Sequence, residues 1–137
     1  MNVKTVPTGS SRARSRGLAG LSCLLVALLG LLSRAYPLPG ILAEYTGDAL
    51  YAAAVFLAIS AVFPRGQTAK VMAWALAVCV LIELSQLLSW ECLKSIRSTR
   101  VGALILGQGF QWEDLLAYLV GVIVVSGVDR LAIARHV

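Results

Sequence analysis

Apolar and polar positions alternate on the scale of whole helices rather than residue by residue. Gly17 to Ser33 is uncharged for 17 residues, Ala49 to Pro64 for 16, and Leu115 to Val128 for 14, while Val71 to Trp90 holds 20 residues broken only by Glu83. At about 1.5 Å per helical residue, the first run reaches roughly 25 Å, enough to cross a bilayer when its polar ends snorkel. The pattern predicts helices over 17–33, 48–64, 71–90 and 112–129, the last beginning near Trp112. Pro37-Leu38-Pro39-Gly40 cannot carry a helix from the first run to the second. The second run is rich in alanine (Ala49, Ala52, Ala53, Ala54, Ala58 and Ala61), which lets helices approach closely in lipid. Val101 to Leu106 is apolar but too short to span. The expected architecture is an all-α, four-helix transmembrane bundle with a short interfacial or re-entrant segment between the third and fourth helices. Residues 17–130 form one integral membrane domain, preceded by a basic tail over 1–16 and followed by a tail over 131–137.

Composition agrees with this reading. The 137 residues are 58% hydrophobic and 14% charged, and soluble domains of that size cannot hide so much apolar surface. The net charge of +5 is dispersed in clusters that flank the apolar runs, so it is a topology signal and not a nucleic-acid one. With a cytoplasmic N-terminus, eight basic residues (Lys4, Arg12, Arg14, Arg16, Arg65, Lys70, Arg130, Arg135) lie inside and four (Arg34, Lys94, Arg97, Arg100) outside. The positive-inside rule then puts both termini in the cytoplasm of a multi-pass protein of the inner or plasma membrane. Two rival readings concern the first run. A basic front and Ser33-Arg34-Ala35 resemble a cleaved signal peptide, and Gly20-Leu21-Ser22-Cys23 has the look of a lipidation site. The three cysteines, Cys23, Cys79 and Cys92, have no CxxC spacing and imply neither a disulfide framework nor a metal site.

Polar residues that break the apolar pattern are the candidates for function. Glu83 sits within the third run, about 20 Å along the helix from Lys70, where an ionisable group requires a partner or a purpose. Gln86 follows on the same face. Arg34 ends the first helix, Asp48 begins the second, and Asp114 begins the fourth with Tyr118 and Gly121 on one stripe, so all four helices bring a polar group to the outer rim. Helix capping by Glu113 and Asp114 is the structural alternative. Lys94, Arg97 and Arg100 recur every third residue and would share one side of an interfacial helix, against the charge bias. They either anchor to lipid phosphate, pair with Glu83, Asp48 or Asp114, or grip an anionic headgroup. Gly107-Gln108-Gly109 reads as a turn, because Glu113 and Asp114 at the next helix start would repel a phosphate.

Several of these stretches together resemble a known family. Leu31-Leu32-Ser33-Arg34, Gly47-Asp48-Ala49-Leu50-Tyr51, Glu83-Leu84-Ser85-Gln86, Ile96-Arg97-Ser98-Thr99-Arg100 and Gly107 to Tyr118 look like the small bacterial membrane family catalogued as domain of unknown function 2809, over about residues 17 to 128. More distantly, the Glu-x-x-Gln, the later Arg, and Asp114 with Gly121 are similar to VanZ-like proteins, from which the chain departs by carrying Tyr118 where those tend to have Asn. The first resemblance implies a helical membrane protein without a defined chemistry.

Three functions fit. The first is a membrane protein whose outer rim binds a polar or anionic group, a lipid or envelope-precursor headgroup, through Arg34, Asp48, Glu83, Gln86, Arg97, Arg100, Asp114 and Tyr118. The second is a small transporter built by homo-oligomerisation with Glu83 as a proton or cation site. The third is an intramembrane enzyme with Glu83 or Asp114 as base, against which stands the inventory: one histidine, His136 in the tail, and no nucleophile–base spacing. No cofactor, metal or nucleic acid is expected.

Overall fold

A computed structural model describes residues 14–36, 38–107 and 109–135, and all regular structure among them is helical. The helices are α1 (Arg16–Ala35), α2 (Ile41–Val62), α3 (Thr68–Ser85), α4 (Glu91–Arg97), α5 (Arg100–Leu106) and α6 (Trp112–Arg135). α1, α2, α3 and α6 are each long and apolar enough to cross a membrane.

The helix boundaries differ from the apolar runs in instructive ways. α2 begins at Ile41, seven residues before the predicted start, because Gly40 turns the chain at a φ of 67° and Glu44 suits the positive end of the helix. Asp48 therefore sits about two turns inside α2 instead of at its start. α3 stops at Ser85, and Gln86 and Leu87 form a turn leading to α4, so the apolar stretch up to Trp90 is not helical throughout. α6 continues past Val128 to Arg135, and Asp129 lies within it. The tails at 1–13 and 136–137, with Lys4, Arg12 and His136, lie outside the described residues.

Three helices make the core. α2, α3 and α6 pack on one another, and α1 packs on α2 alone. Ala52 and Phe56 of α2, Val71, Ala75 and Cys79 of α3, and Tyr118 and Val122 of α6 form the buried cluster. Small residues set the helix spacing, as the alanine content of the second run anticipates: Gly121 of α6 lies against the backbone carbonyl of Ala49, and a Cβ there would collide with it. α1 is apolar and nearly all exposed, with Ala19 its one buried residue and Leu18, Leu21, Leu24, Leu25, Leu28 and Leu29 on its surface. Its ties to α2 are local. The Cys23 thiol donates to the Ala54 carbonyl at 3.3 Å, and Arg34 pairs with Asp48. That thiol contact places Cys23 mid-helix against α2.

At the opposite end of the bundle from Glu83, Arg14 forms a clasp that the run pattern does not reveal. Its Nε donates to both Asp129 oxygens at 2.8 and 2.9 Å, its Nη1 to the Gly66 carbonyl at 2.6 Å and its Nη2 to Asp129 and the Thr68 hydroxyl at 2.7 Å each. The side chains are 5% and 12% exposed. One guanidinium thus joins the segment before α1, the α2–α3 loop, α3 and α6. Removing either partner leaves a largely buried charge unmatched, so Arg14→Gln and Asp129→Asn should each lower stability by about 2–3 kcal/mol. The double variant should lose less than the sum of the two, as unfolding followed in detergent micelles will measure.

Candidate functional site

Glu83 is the anchor at the other end. It has no exposed surface, yet both carboxylate oxygens are satisfied by neutral donors from three places in the chain. The Gln111 backbone N–H donates to Oε1 at 2.9 Å, while the Tyr118 hydroxyl and the Gln86 amide donate to Oε2 at 3.0 and 3.1 Å. Gln86 also accepts the Gly109 N–H through Oε1 at 2.7 Å. Glu83 and Gln86 consequently hold the loop between α5 and α6 by its backbone. Gly107 ends α5 at a φ of 69°, with its N–H on the Ala103 carbonyl, and the Gly109 N–H goes to Gln86.

Above this network lies a cavity of about 700 Å³. Its charged walls are Arg34, Asp48, Arg100 and Asp114, and Gln86, Gln111, Tyr51 and Tyr118 supply further polar groups. α5 covers one side. It is held there by the Tyr51 hydroxyl, which donates to the Ile105 carbonyl at 2.9 Å, and by its own cap at Thr99, which accepts the Gly102 N–H at 3.0 Å. The α4–α5 turn is tight: a Cβ on Gly102 would strike the Ile96 carbonyl. Tyr51 and Tyr118 stack obliquely with centroids 6.2 Å apart, so α2 and α6 meet beside Glu83.

Six of the eight residues singled out from the sequence, Arg34, Asp48, Gln86, Arg100, Asp114 and Tyr118, line this one cavity, and Glu83 bonds to two of them. The expected arginine–carboxylate pair is Arg34 with Asp48, at 3.4 Å. Arg97 is the exception. Its guanidinium donates to the Ser85 hydroxyl at 3.0 Å and does not pair with Glu83, whose oxygens accept from Gln111, Tyr118 and Gln86. The three basic residues do not share a helix face either. Ser98 and Thr99 break the segment into α4 and α5, leaving Lys94 on exposed Glu91 at 3.1 Å, Arg97 on α3, and Arg100 in the cavity.

Sequence reasoning passed over Tyr51, Ser85 and Gln111. Tyr51 was detectable, three residues after Asp48 and so on its face. Gln111 acts through its backbone, which carries no residue signature. Among the described residues, no three His, Cys, Asp or Glu side chains gather in a metal-binding set.

These features define an all-helical protein with four helices apolar enough to cross a membrane and a polar cavity at one end of them. Residues 37–122 match the family of proteins of unknown function DUF2809, and because the match covers more than half of the chain, the protein belongs to that family. The matched region contains the Glu83 network and every cavity wall except Arg34. No solved structure matches the chain.

If Glu83 holds the cavity together, its loss should exceed that of any one partner. Tyr118→Phe removes one hydrogen bond and should cost about 1–2 kcal/mol, whereas Glu83→Ala strands several donors and should cost roughly 3 kcal/mol or more. Melting temperatures of the purified variants in detergent should follow wild type above Tyr118→Phe above Glu83→Ala.

Proposed function

We propose that the cavity receives a phosphate-bearing lipid headgroup on the outer side of the cell membrane, with both termini cytoplasmic. The observation that carries this reading is the presence of two guanidinium groups, Arg34 and Arg100, on the wall of one cavity at the end of the membrane spans. A guanidinium binds phosphate through two parallel N–H groups and is less strongly hydrated than an ammonium, which suits a site at the lipid boundary. Arg100 has no ion pair or side-chain hydrogen bond among the described residues, so its donors are free for a ligand. Below the cavity, buried Cys79, Ala75, Phe56 and Val122 fill the interior between helices, which favours binding at one end over passage through a single copy.

Native mass spectrometry of the full chain in detergent, with added phosphatidylglycerol, tests the headgroup. Arg100→Gln should reduce the bound fraction about tenfold, the value of one charged hydrogen-bonding contact, and Arg100→Lys should recover only part of it. Unchanged retention in Arg100→Gln overturns the reading. Orientation has its own test in Cys92, the exposed thiol on α4, beside buried Cys79 and half-buried Cys23. A membrane-impermeant maleimide should label wild type in intact cells and fail with Cys92→Ser; labelling only after the cells are opened reverses the topology.

A further inference from the structure

The walls of the cavity carry charges of both signs in equal number, Arg34 and Arg100 against Asp48 and Asp114. Arg34 and Asp48 pair with each other at 3.4 Å. Arg100 and Asp114 do not: among the described residues neither side chain makes an ion pair or a hydrogen bond. Asp114 also stands in the field of Asp48, Glu83 and Glu113, all of its own sign. A ligand that is only an anion would satisfy Arg100 and bring its charge toward these carboxylates. A ligand that also carries a protonated amine a few bonds away would satisfy both free charges, and the carboxylates would then select for it and against plain anions.

Resting on the headgroup reading, we infer that the cavity is specific for a zwitterion, a phosphodiester joined to a primary ammonium as in phosphoethanolamine, with the phosphate on Arg100 and the ammonium on Asp114. A primary ammonium has three donors for Asp114 and the neighbouring acceptors, which a hydroxyl-bearing glycerol headgroup lacks in charged form.

The test uses the delipidated full chain in detergent, titrated with phosphatidylethanolamine and separately with phosphatidylglycerol, and read by native mass spectrometry. Wild type should bind the ethanolamine lipid about tenfold more tightly, as one charge-assisted contact implies. Asp114→Asn should abolish that preference while phosphatidylglycerol binds at least as well as before, and Asp114→Ser should behave alike. Both variants are to keep the wild-type melting temperature, since Asp114 bonds to no other side chain. Equal affinity of the two lipids in wild type, or a preference that survives both Asp114 variants, overturns the zwitterion assignment while leaving phosphate binding intact. Binding of both lipids that ignores Arg100→Gln overturns the headgroup reading itself. Soluble glycerophosphoethanolamine distinguishes the source: if it displaces the bound lipid, the headgroup alone is the ligand; if the lipid binds and the soluble compound does not compete, the site belongs to the membrane lipid; if neither binds, the proposal fails.

Discussion

A carboxylate with no access to water must be given donors by the protein, and Glu83 obtains three from separate segments. Much of the architecture at that end follows from this demand. Tyr118 must point from α6 toward α3, which fixes the rotation of α6 and brings Tyr118 against Tyr51. Tyr51 then reaches the last turn of α5 with its hydroxyl. Gln111 and Gly109 must present backbone N–H groups, so the loop before α6 folds back over the end of α3. The cavity is the space left between these constrained parts, and its charged residues face it because the helices that carry them have no freedom to rotate. In a membrane the alternative, an unsatisfied carboxylate beside lipid, is expensive enough to enforce the arrangement.

The two ends of the bundle solve the same problem differently. Around Glu83 the acceptor is central and its donors are neutral. Around Arg14 the donor is central, and its acceptors are one carboxylate, a hydroxyl and a backbone carbonyl. Between the ends the packing is apolar and close, with Gly121 against the Ala49 backbone and Phe56 and Val122 without exposed surface. Polar networks at both ends set the register of α2, α3 and α6, and small residues in the middle let them come together. α1 stands apart from this logic. It buries almost nothing and depends on α2, the Arg34–Asp48 pair and the clasp just before its first turn.

Length and uniform hydropathy made the four spans legible, since a run that cannot be solvated must enter lipid whatever its neighbours do. Helix ends were less so. Glu44, Tyr45 and Thr46 fall before the expected start of the second helix but belong to α2, and the apolar Leu87 and Leu88 fall inside the expected third helix but lie beyond the end of α3. In both places the backbone answers to caps and loop hydrogen bonds, and hydropathy is silent about those. The cluster of polar residues was legible for the same reason as the spans: Glu83, Asp48, Asp114, Arg34 and Arg100 contradict their surroundings, and helix rise places them at a common depth.

Which of them touch was decided by tertiary structure alone. Depth along a helix is a property of the chain, computed by counting residues, whereas pairing depends on helix rotation and on loop paths that sequence spacing does not encode. Arg97 lies at the expected depth yet goes to Ser85, and Arg100, three residues on, enters the cavity because Ser98 and Thr99 turn the backbone between them. Arg14 shows the same limit more sharply. As a letter in a basic tail it counts toward topology, and only the folding of α6 beside the α2–α3 loop gives its guanidinium Asp129, Gly66 and Thr68 to bind. The amino-acid sequence determined that four segments are apolar enough to cross a membrane and which residues are out of place in them; the packing of the helices determined which of those residues bond to one another and which line the cavity unpaired.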